Sequence, residues 1–528
     1  MSTQTNPPAG VETILAAAGG GATPKDAAAV ILLRHGGDAA HPEVFWVRRS
    51  EKLAFLGGFY AFPGGQRDAS DAQTRVANCV DASLAAMISC AARELFEELG
   101  VLVARGTQTL TRGQRESLLD DLVSGRMSFP KLLAHYGLHL DASDWTFVGR
   151  WVTPPFSPRR FDTWFFLAHC PRRQEPRVSS GDDGELEAGE WTKAEEAIAR
   201  WQRSEILSVP PVLHALKTLA CGITDDLVER FLSIPQAHGE PVRRIEFRPG
   251  FICFPVRTKT LPPATHTNCY IVGANEFVVI DPASPDEAEQ AALAACIDDL
   301  LVEGRKMREI ILTHLHPDHV GGVGALVAHL DGKAPVAAHR LTAEALRAKV
   351  RVDRLIEDGE MIELPGSPHL VLRALHTPGH ARGHLCFYEE RTGALITGDN
   401  IVGLGSVLID PPEGNMRDYL ASLERLRALP HLSVLFGAHG PAVGNPRARI
   451  EDYIAHRLER EANILAAVRE GAGTPPEIVA RVYTDVHPKA HAMAERAVIA
   501  HLEKLAAENL VTRESDGLYV ANEGKIDG

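Results

Sequence analysis

The segment His314-Leu315-His316-Pro317-Asp318-His319 sets four imidazole or carboxylate side chains in six positions, and no other stretch constrains the chain as much. It follows Glu309-Ile310-Ile311-Leu312-Thr313, which reads as a buried strand. Side chains alternate along an extended segment, so His314 and His316 point the same way. Pro317 then turns the chain, letting Asp318 and His319 face a neighbouring point. Three later positions extend the pattern: His380 in Thr377-Pro378-Gly379-His380, Asp399 in Thr397-Gly398-Asp399, and His439 in Gly437-Ala438-His439-Gly440. Each follows an apolar run or a Pro-Gly turn, which predicts loops along one edge of a sheet. Imidazole with carboxylate suits zinc, with iron or manganese as alternatives. A lone histidine such as His339 or His431 carries no such weight.

At 528 residues the chain exceeds one hydrophobic core, so two or three domains are expected. The formal net charge of -14 argues against broad affinity for nucleic acid or acidic membranes. The 8 cysteines, none in a C-x-x-C pair, read as reduced core residues and point to a cytoplasmic setting. No uncharged stretch reaches about 18 apolar residues, so no membrane span is expected. Residues 1–25 read as a disordered tail without a secretory signal. Near the other end, Thr474-Pro475-Pro476-Glu477 is a capping box with proline in the first turn. A helix from about Ala490 to Glu508 and a hairpin around Ser515-Asp516-Gly517 complete a helical, winged-helix-like module.

The ordered set T-H-x-H-x-D-H, T-P-G-H, G-D and H-G resembles the metallo-β-lactamase superfamily over roughly residues 245–445. The resemblance implies an αββα sandwich with a two-zinc centre. His314, His316 and His380 would hold the first ion, Asp318, His319 and His439 the second, and Asp399 would bridge. Asp318 would also orient the attacking water. Within the superfamily, His376-Thr377-Pro378-Gly379-His380-Ala381-Arg382-Gly383-His384 and the tail residues Glu451, Tyr453, His456, Arg457 and Glu461 resemble lactamase-β-like endoribonucleases. That likeness implies cleavage of single-stranded RNA. Charge points elsewhere: residues 451–528 hold 9 Lys/Arg against 14 Asp/Glu, a balance of -5, where a phosphate-gripping winged helix should be basic. The tail then reads as a homodimer contact or a lid, and a glyoxalase II-like thioesterase fits the same ligands.

In the other half, a helix is expected from about Ala82 to Leu99, stopped by Gly100. Glu94, Glu97 and Glu98 fall at i, i+3 and i+4 on one face. Clustered carboxylates repel unless cations bridge them, and Mg²⁺ or Mn²⁺ with substrate phosphates would do so. Arg93-Glu94-Leu95-Phe96-Glu97-Glu98-Leu99-Gly100-Val101 resembles the second half of the Nudix box. The first half departs from it, since 21 residues separate Asp71 from Arg93 and the counted acid position holds Ala85. Asp71 is the candidate substitute. Upstream, Arg49, Ser50, Gly58 and Phe62-Pro63-Gly64-Gly65 keep the spacing of coenzyme A diphosphatases, with Ala54 in place of an arginine. Arg159-Arg160 read as a phosphate clamp or a solvated loop.

The expected architecture is multidomain α/β: a Nudix α/β/α fold over 26–218, a linker over 219–242, a metallo-β-lactamase sandwich over 243–447 and a winged-helix module over 448–528. The expected activity is a binuclear zinc hydrolase of phosphodiesters or thioesters, fused to a magnesium- or manganese-dependent hydrolase of a nucleoside diphosphate-linked compound. The competing reading makes the Nudix half a non-catalytic nucleotide sensor.

Overall fold

The computed structural model describes residues 23–34, 39–53, 55–178, 184–484 and 487–522. The expected tail, apart from residues 23–25, and Ala54 lie outside these residues. The chain divides between Pro249 and Gly250 into two compact units.

The first unit is built on a mixed sheet. Its strands run in the order Tyr60–Ala61, Glu43–Arg49, Lys25–Arg34, Phe161–His169 and Thr146–Val152. Gly64–Gln66 pairs with Lys25–Arg34, and Leu186–Lys193 with Glu43–Arg49. Lys25–Arg34 lies parallel to Phe161–His169, and residues 27–33 are buried throughout. A strand covered on both faces needs such an unbroken apolar run. The helix Ala82–Leu99 has the expected bounds. Asp81 caps its first turn by accepting from Ser83 N and Leu84 N, and Gly100 ends it at φ 66. Met87, Cys90, Ala91, Leu95 and Leu99 bury one face in the core, leaving another for the acidic residues. The residues between Asp71 and Arg93 form a short strand, Val76–Ala77, and the N-terminal turns of this helix.

Residues 219–242, expected as a linker, carry the helix Leu227–Phe231 and belong to the first unit. Burial of Phe231 and Ala237 explains why this stretch folds as part of it. The unit continues to Pro249: Trp201 Nε1 donates to Phe247 O at 3.2 Å, and Phe247 meets Phe59 edge to face.

In the second unit, Phe251–Arg257, His266–Gly273, Glu276–Ile280, Lys306–Leu312, Val336–Ala338 and Arg354–Leu355 follow one another across one sheet. The expected hairpin is present, with Tyr270 opposite Ile280 and Gly273 opposite Phe277. A second sheet runs Met361–Leu364, Leu370–His376, Leu385–Glu389, Ala394–Gly398 and Val434–Gly437. The sheets meet through Phe251, Tyr270 and Phe436, and the Tyr270 hydroxyl donates to Gly437 O at 2.7 Å. Leu293, Ile297 and Leu300 of helix Glu287–Val302 cover the first sheet. Leu423 and Leu426 of helix Met416–Arg427 cover the second. The result is an αββα sandwich.

Helix Pro446–Arg469 serves two cores. Ile450, Tyr453 and Ile454 pack with the second sheet's outer layer, while Ile464, Ala467 and Val468 join Ile478, Val498, Leu502, Val511 and Tyr519 in a separate cluster. Helices Pro475–Val482 and His491–Ala507 and the hairpin of Val511–Arg513 with Tyr519–Ala521 complete this module. The Thr474/Glu477 capping box forms as expected. No described helix is long and apolar enough to cross a membrane.

Candidate metal centre and acidic helix face

The segment after Lys306–Leu312 and the turns after Leu370–His376, Ala394–Gly398 and Val434–Gly437 converge at one edge of the sandwich. They bring His314, His316, His380 and Asp399 into one group that could hold an ion, and Asp318, His319 and His439 into another. Asp399 lies between them: its Oδ2 is 3.5 Å from His380 Nε2, and its Oδ1 is 3.2 Å from His439 Nε2 and 3.5 Å from His319 Nε2. Asp318 Oδ2 stands 3.7 Å from His439 Nε2. Gly379 permits the approach of His380, because at φ +133 a Cβ would fall 2.2 Å from Tyr419 Cα.

Hydrogen bonds fix the tautomers. Carbonyls only accept, so His380 Nδ1 donates to Leu408 O and His439 Nδ1 donates to His266 O, both at 2.9 Å. His319 Nδ1 donates to Asp281 Oδ2 at 2.8 Å. Thr313 gives its hydroxyl proton to the same oxygen at 2.6 Å, so His314 Nδ1 must donate to Thr313 Oγ1. In the neutral rings of His314, His319, His380 and His439, each Nε2 is therefore a lone pair aimed into the cleft. His316 Nδ1 faces two of them, at 3.0 Å from His314 and 2.9 Å from His380. His319 Nε2 and Asp399 Oδ1 are buried without a hydrogen-bond partner.

Acceptors that face acceptors in a buried cleft require positive charge between them. The proton equilibria state the same demand. Burial disfavours charge on His319 and His439, yet neighbouring carboxylates hold both pKa values above the ordinary range. Burial opposes ionisation of Asp399, but His439 and His319 hold its pKa well down. Burial depresses His314 and His316, and takes His380 to about 4, leaving neutral rings fit to coordinate.

Sequence reasoning missed two supports. Asp281 follows Glu276–Ile280 at φ 53, is buried, and accepts from Thr313 N at 2.8 Å as well as from His319. A single aspartate after a strand has no spacing signal to reveal it. His384 is fully buried; its Nε2 accepts from Asp399 N at 3.1 Å, which sets the backbone of the bridging position.

The first unit presents its acids as the spacing implied. Arg93 Nη1 binds Glu94 at 2.8 Å and Glu97 at 2.9 Å, while its Nε and Nη2 clamp fully buried Asp71 at 3.1 and 2.9 Å. Asp71 thus reaches Arg93, while Ala85 packs at the edge of the core. Glu98 accepts from Gly64 N at 2.9 Å. Gly65 lets the Glu94 carboxylate approach closely, since a Cβ there would lie 2.5 Å from Glu94 Oε2 and displace it. Burial, aided by neighbouring carboxylates, raises Glu94 to about 7 and Glu98 to about 8, and burial raises Glu97 as well. Arg49, buried beside Glu98 and Glu185, has its pKa lowered by that burial.

The family model of the metallo-β-lactamase superfamily matches residues 262–439, and that of the β-lactamase-associated winged helix domain matches 474–519. The lactamase-like protein vrtG of Penicillium aethiopicum is 32% identical over 248 residues, covering 45% of this chain and 74% of that protein. The chain belongs to the metallo-β-lactamase superfamily. A second member, the atrochrysone carboxyl ACP thioesterase of Aspergillus chevalieri, is 31% identical over 266 residues, covering 48% of this chain and 79% of that one. The superfamily domain is joined here to a Nudix domain, since the NUDT19 Nudix domain model matches residues 72–219. A solved Nudix hydrolase from Alicyclobacillus acidocaldarius is 32% identical, covering 39% of this chain and 96% of that chain, with a TM-score of 0.33. The protein is thus a hydrolase of this superfamily that also carries a Nudix domain and a winged helix.

Proposed function

We propose that the second unit is a binuclear zinc hydrolase of acyl thioesters, and that the Nudix unit cleaves a nucleoside diphosphate-linked compound of the coenzyme A type. The lone pairs of His314, His319, His380 and His439, aimed with the Asp399 carboxylate into one buried cleft, carry the first part. His314, His316 and His380 would hold one ion, Asp318, His319 and His439 the other, with Asp399 between. Bound there, zinc would supply Lewis acidity toward the scissile carbonyl and make water acidic enough to attack near neutral pH.

The protein's own share is orientation and proton handling. Leu408 O, His266 O and Asp281 stop the rings of His380, His439 and His319 from turning. Asp318, whose side chain is 17% exposed and stands 3.7 Å from His439 Nε2, would take a proton from water entering the cleft. A thioester is favoured over RNA by two observations. The curated relative from Aspergillus chevalieri is named a thioesterase, and residues 451–528 carry a balance of -5 rather than a basic groove.

In the Nudix unit, Glu94, Glu97 and Glu98 would hold Mg²⁺ or Mn²⁺, with Arg93 anchored on Asp71 in the role that Ala85 cannot fill. One chain that carries both the retained coenzyme A spacing and a thioester-compatible cleft supports the reading that both halves process acyl-coenzyme A.

The test is turnover of acyl-coenzyme A, lactoylglutathione and single-stranded RNA before chelation, after it, and after zinc is restored. Zinc-restored thioester hydrolysis supports the reading, whereas RNA cleavage alone overturns the substrate class. Calorimetry with nucleotide and Mg²⁺, run beside a phosphate-release assay, decides the Nudix half. Tight binding without product would make it a sensor.

A further inference from the structure

The segment from Asn400 to Pro411, just after Asp399, is held by side chains from the C-terminal helices. Arg449 Nη2 donates to Val402 O at 3.0 Å, and the Tyr453 hydroxyl lies 3.3 Å from Gly405 O. Arg457 donates to Ser406 Oγ at 3.1 Å and to Val407 O, and its guanidinium sits 5.5 Å above the Tyr419 ring. Arg496 donates to Asp410 and to Pro411 O.

The same segment touches the candidate centre twice. Leu408 O fixes the tautomer of His380, and Gly403 N donates to His439 O at 2.8 Å. Tyr419, beneath Arg457, donates to Asn400 O at 2.7 Å, one residue beyond Asp399.

Arg457 is 5% exposed, and among the described residues its side chain meets hydroxyl and carbonyl oxygens and no carboxylate. Burying a cation against carbonyl, hydroxyl and ring alone is costly, and an apolar residue would fill the same space more cheaply. What an apolar residue lacks is the guanidinium Nη2, which donates both to the Ser406 hydroxyl and to the Val407 carbonyl and so ties two consecutive residues of this segment to the helix.

We propose that Arg457, seconded by Arg496, is a positioning residue for the metal centre. The C-terminal module shapes residues 400–411 so that Leu408 O presents the Nε2 of His380 to the first ion. The inference rests on the metal-centre reading above. It predicts a defect that falls mainly on one ion, since the His314, His316 and His380 group would lose a correctly aimed ligand, while the rings of His319 and His439 keep Nδ1 hydrogen bonds to Asp281 and to His266 O, outside residues 400–411.

The test uses the full chain, stripped and reloaded with Co²⁺, reading visible absorption and affinity by chelator competition, with thermal unfolding alongside. Arg457→Ala and Arg496→Ala should bind the weaker-held Co²⁺ about ten-fold or more loosely, with a changed absorption band. Arg457→Lys, which keeps a donor for Val407 O, should recover part of the loss. Arg513→Ala, in the module's hairpin and away from residues 400–411, should match the wild type. If Arg457→Ala does not fold, Arg496→Ala decides, because its ion pair with Asp410 is 43% and 49% exposed and its loss spares the core. Variants that fold and bind Co²⁺ with wild-type affinity and spectrum overturn the inference alone. Wild-type protein that takes up no Co²⁺ overturns the metal-centre reading itself.

Discussion

Asp281→Asn isolates one buried oxygen. Asp281 Oδ2 accepts from His319 Nδ1 at 2.8 Å and Thr313 Oγ1 at 2.6 Å, and Oδ1 accepts from Thr313 N at 2.8 Å. An asparagine keeps the Thr313 N contact through its carbonyl oxygen but turns its amide toward His319. That amide donates, so the ring must shift its proton to Nε2, the atom aimed at Asp399. A protonated Nε2 cannot coordinate. Loss of such a supporting group weakens metal binding about 10- to 100-fold, or roughly 1.4–2.7 kcal/mol. Asp281→Ala is harsher, leaving two or three buried donors unpaired at about 1–3 kcal/mol each, so that variant should unfold early. Zinc competition with a chromophoric chelator gives the affinity, and calorimetric unfolding of the apo protein gives the stability. Asp281→Asn should lose affinity for one ion while keeping most of its stability. Unchanged zinc affinity in a folded Asp281→Asn protein would refute the tautomer argument.

Other outcomes follow from the same geometry. Glu94 and Glu98 have folded-state pKa values near 7 and 8, above the ordinary 4.5, so the folded protein keeps protons that the unfolded chain releases. The contribution of these two groups to metal-free stability is then fully present below about pH 4.5 and is lost as pH rises through about 7 and 8; Mg²⁺ should restore it, raising Tm more at about pH 9 than at about pH 6. Arg93→Ala strands Asp71, which is fully buried, and should cost the Nudix unit about 3–5 kcal/mol in denaturant unfolding. Gly379→Ala meets Tyr419 backbone at 2.2 Å in a left-handed conformation, so loss of zinc or more than about 2 kcal/mol of stability is expected; wild-type behaviour would show that the turn is not constrained.

The αββα layers were legible because the motif sits on strands with unbroken apolar runs, as in Glu309 to Thr313, and because the hairpin at Gly273-Ala274-Asn275 is local. Helix Ala82–Leu99 was readable to the residue, since its periodicity stops at a glycine with positive φ. Residues 219–242 were not, because a short helix and a turn tied down by isolated buried residues such as Phe231 and Ala237 leave no periodic trace. Nor was the support behind the candidate site. Asp281 and His319 lie 38 positions apart, and Arg457 and Val407 50 apart, so only the fold pairs them. The insertion after Asp71 obscured the acidic motif by count, while the structure reunites Asp71 with Arg93.

The most direct measurement is zinc stoichiometry of the stripped and reloaded chain by native mass spectrometry, with excess Mg²⁺ present to occupy the Nudix acids. Two tightly held zinc ions per chain should fall to one in His439→Ala and to one in His380→Ala. A wild-type chain that retains none, or variants that retain as many as the wild type, would contradict the account.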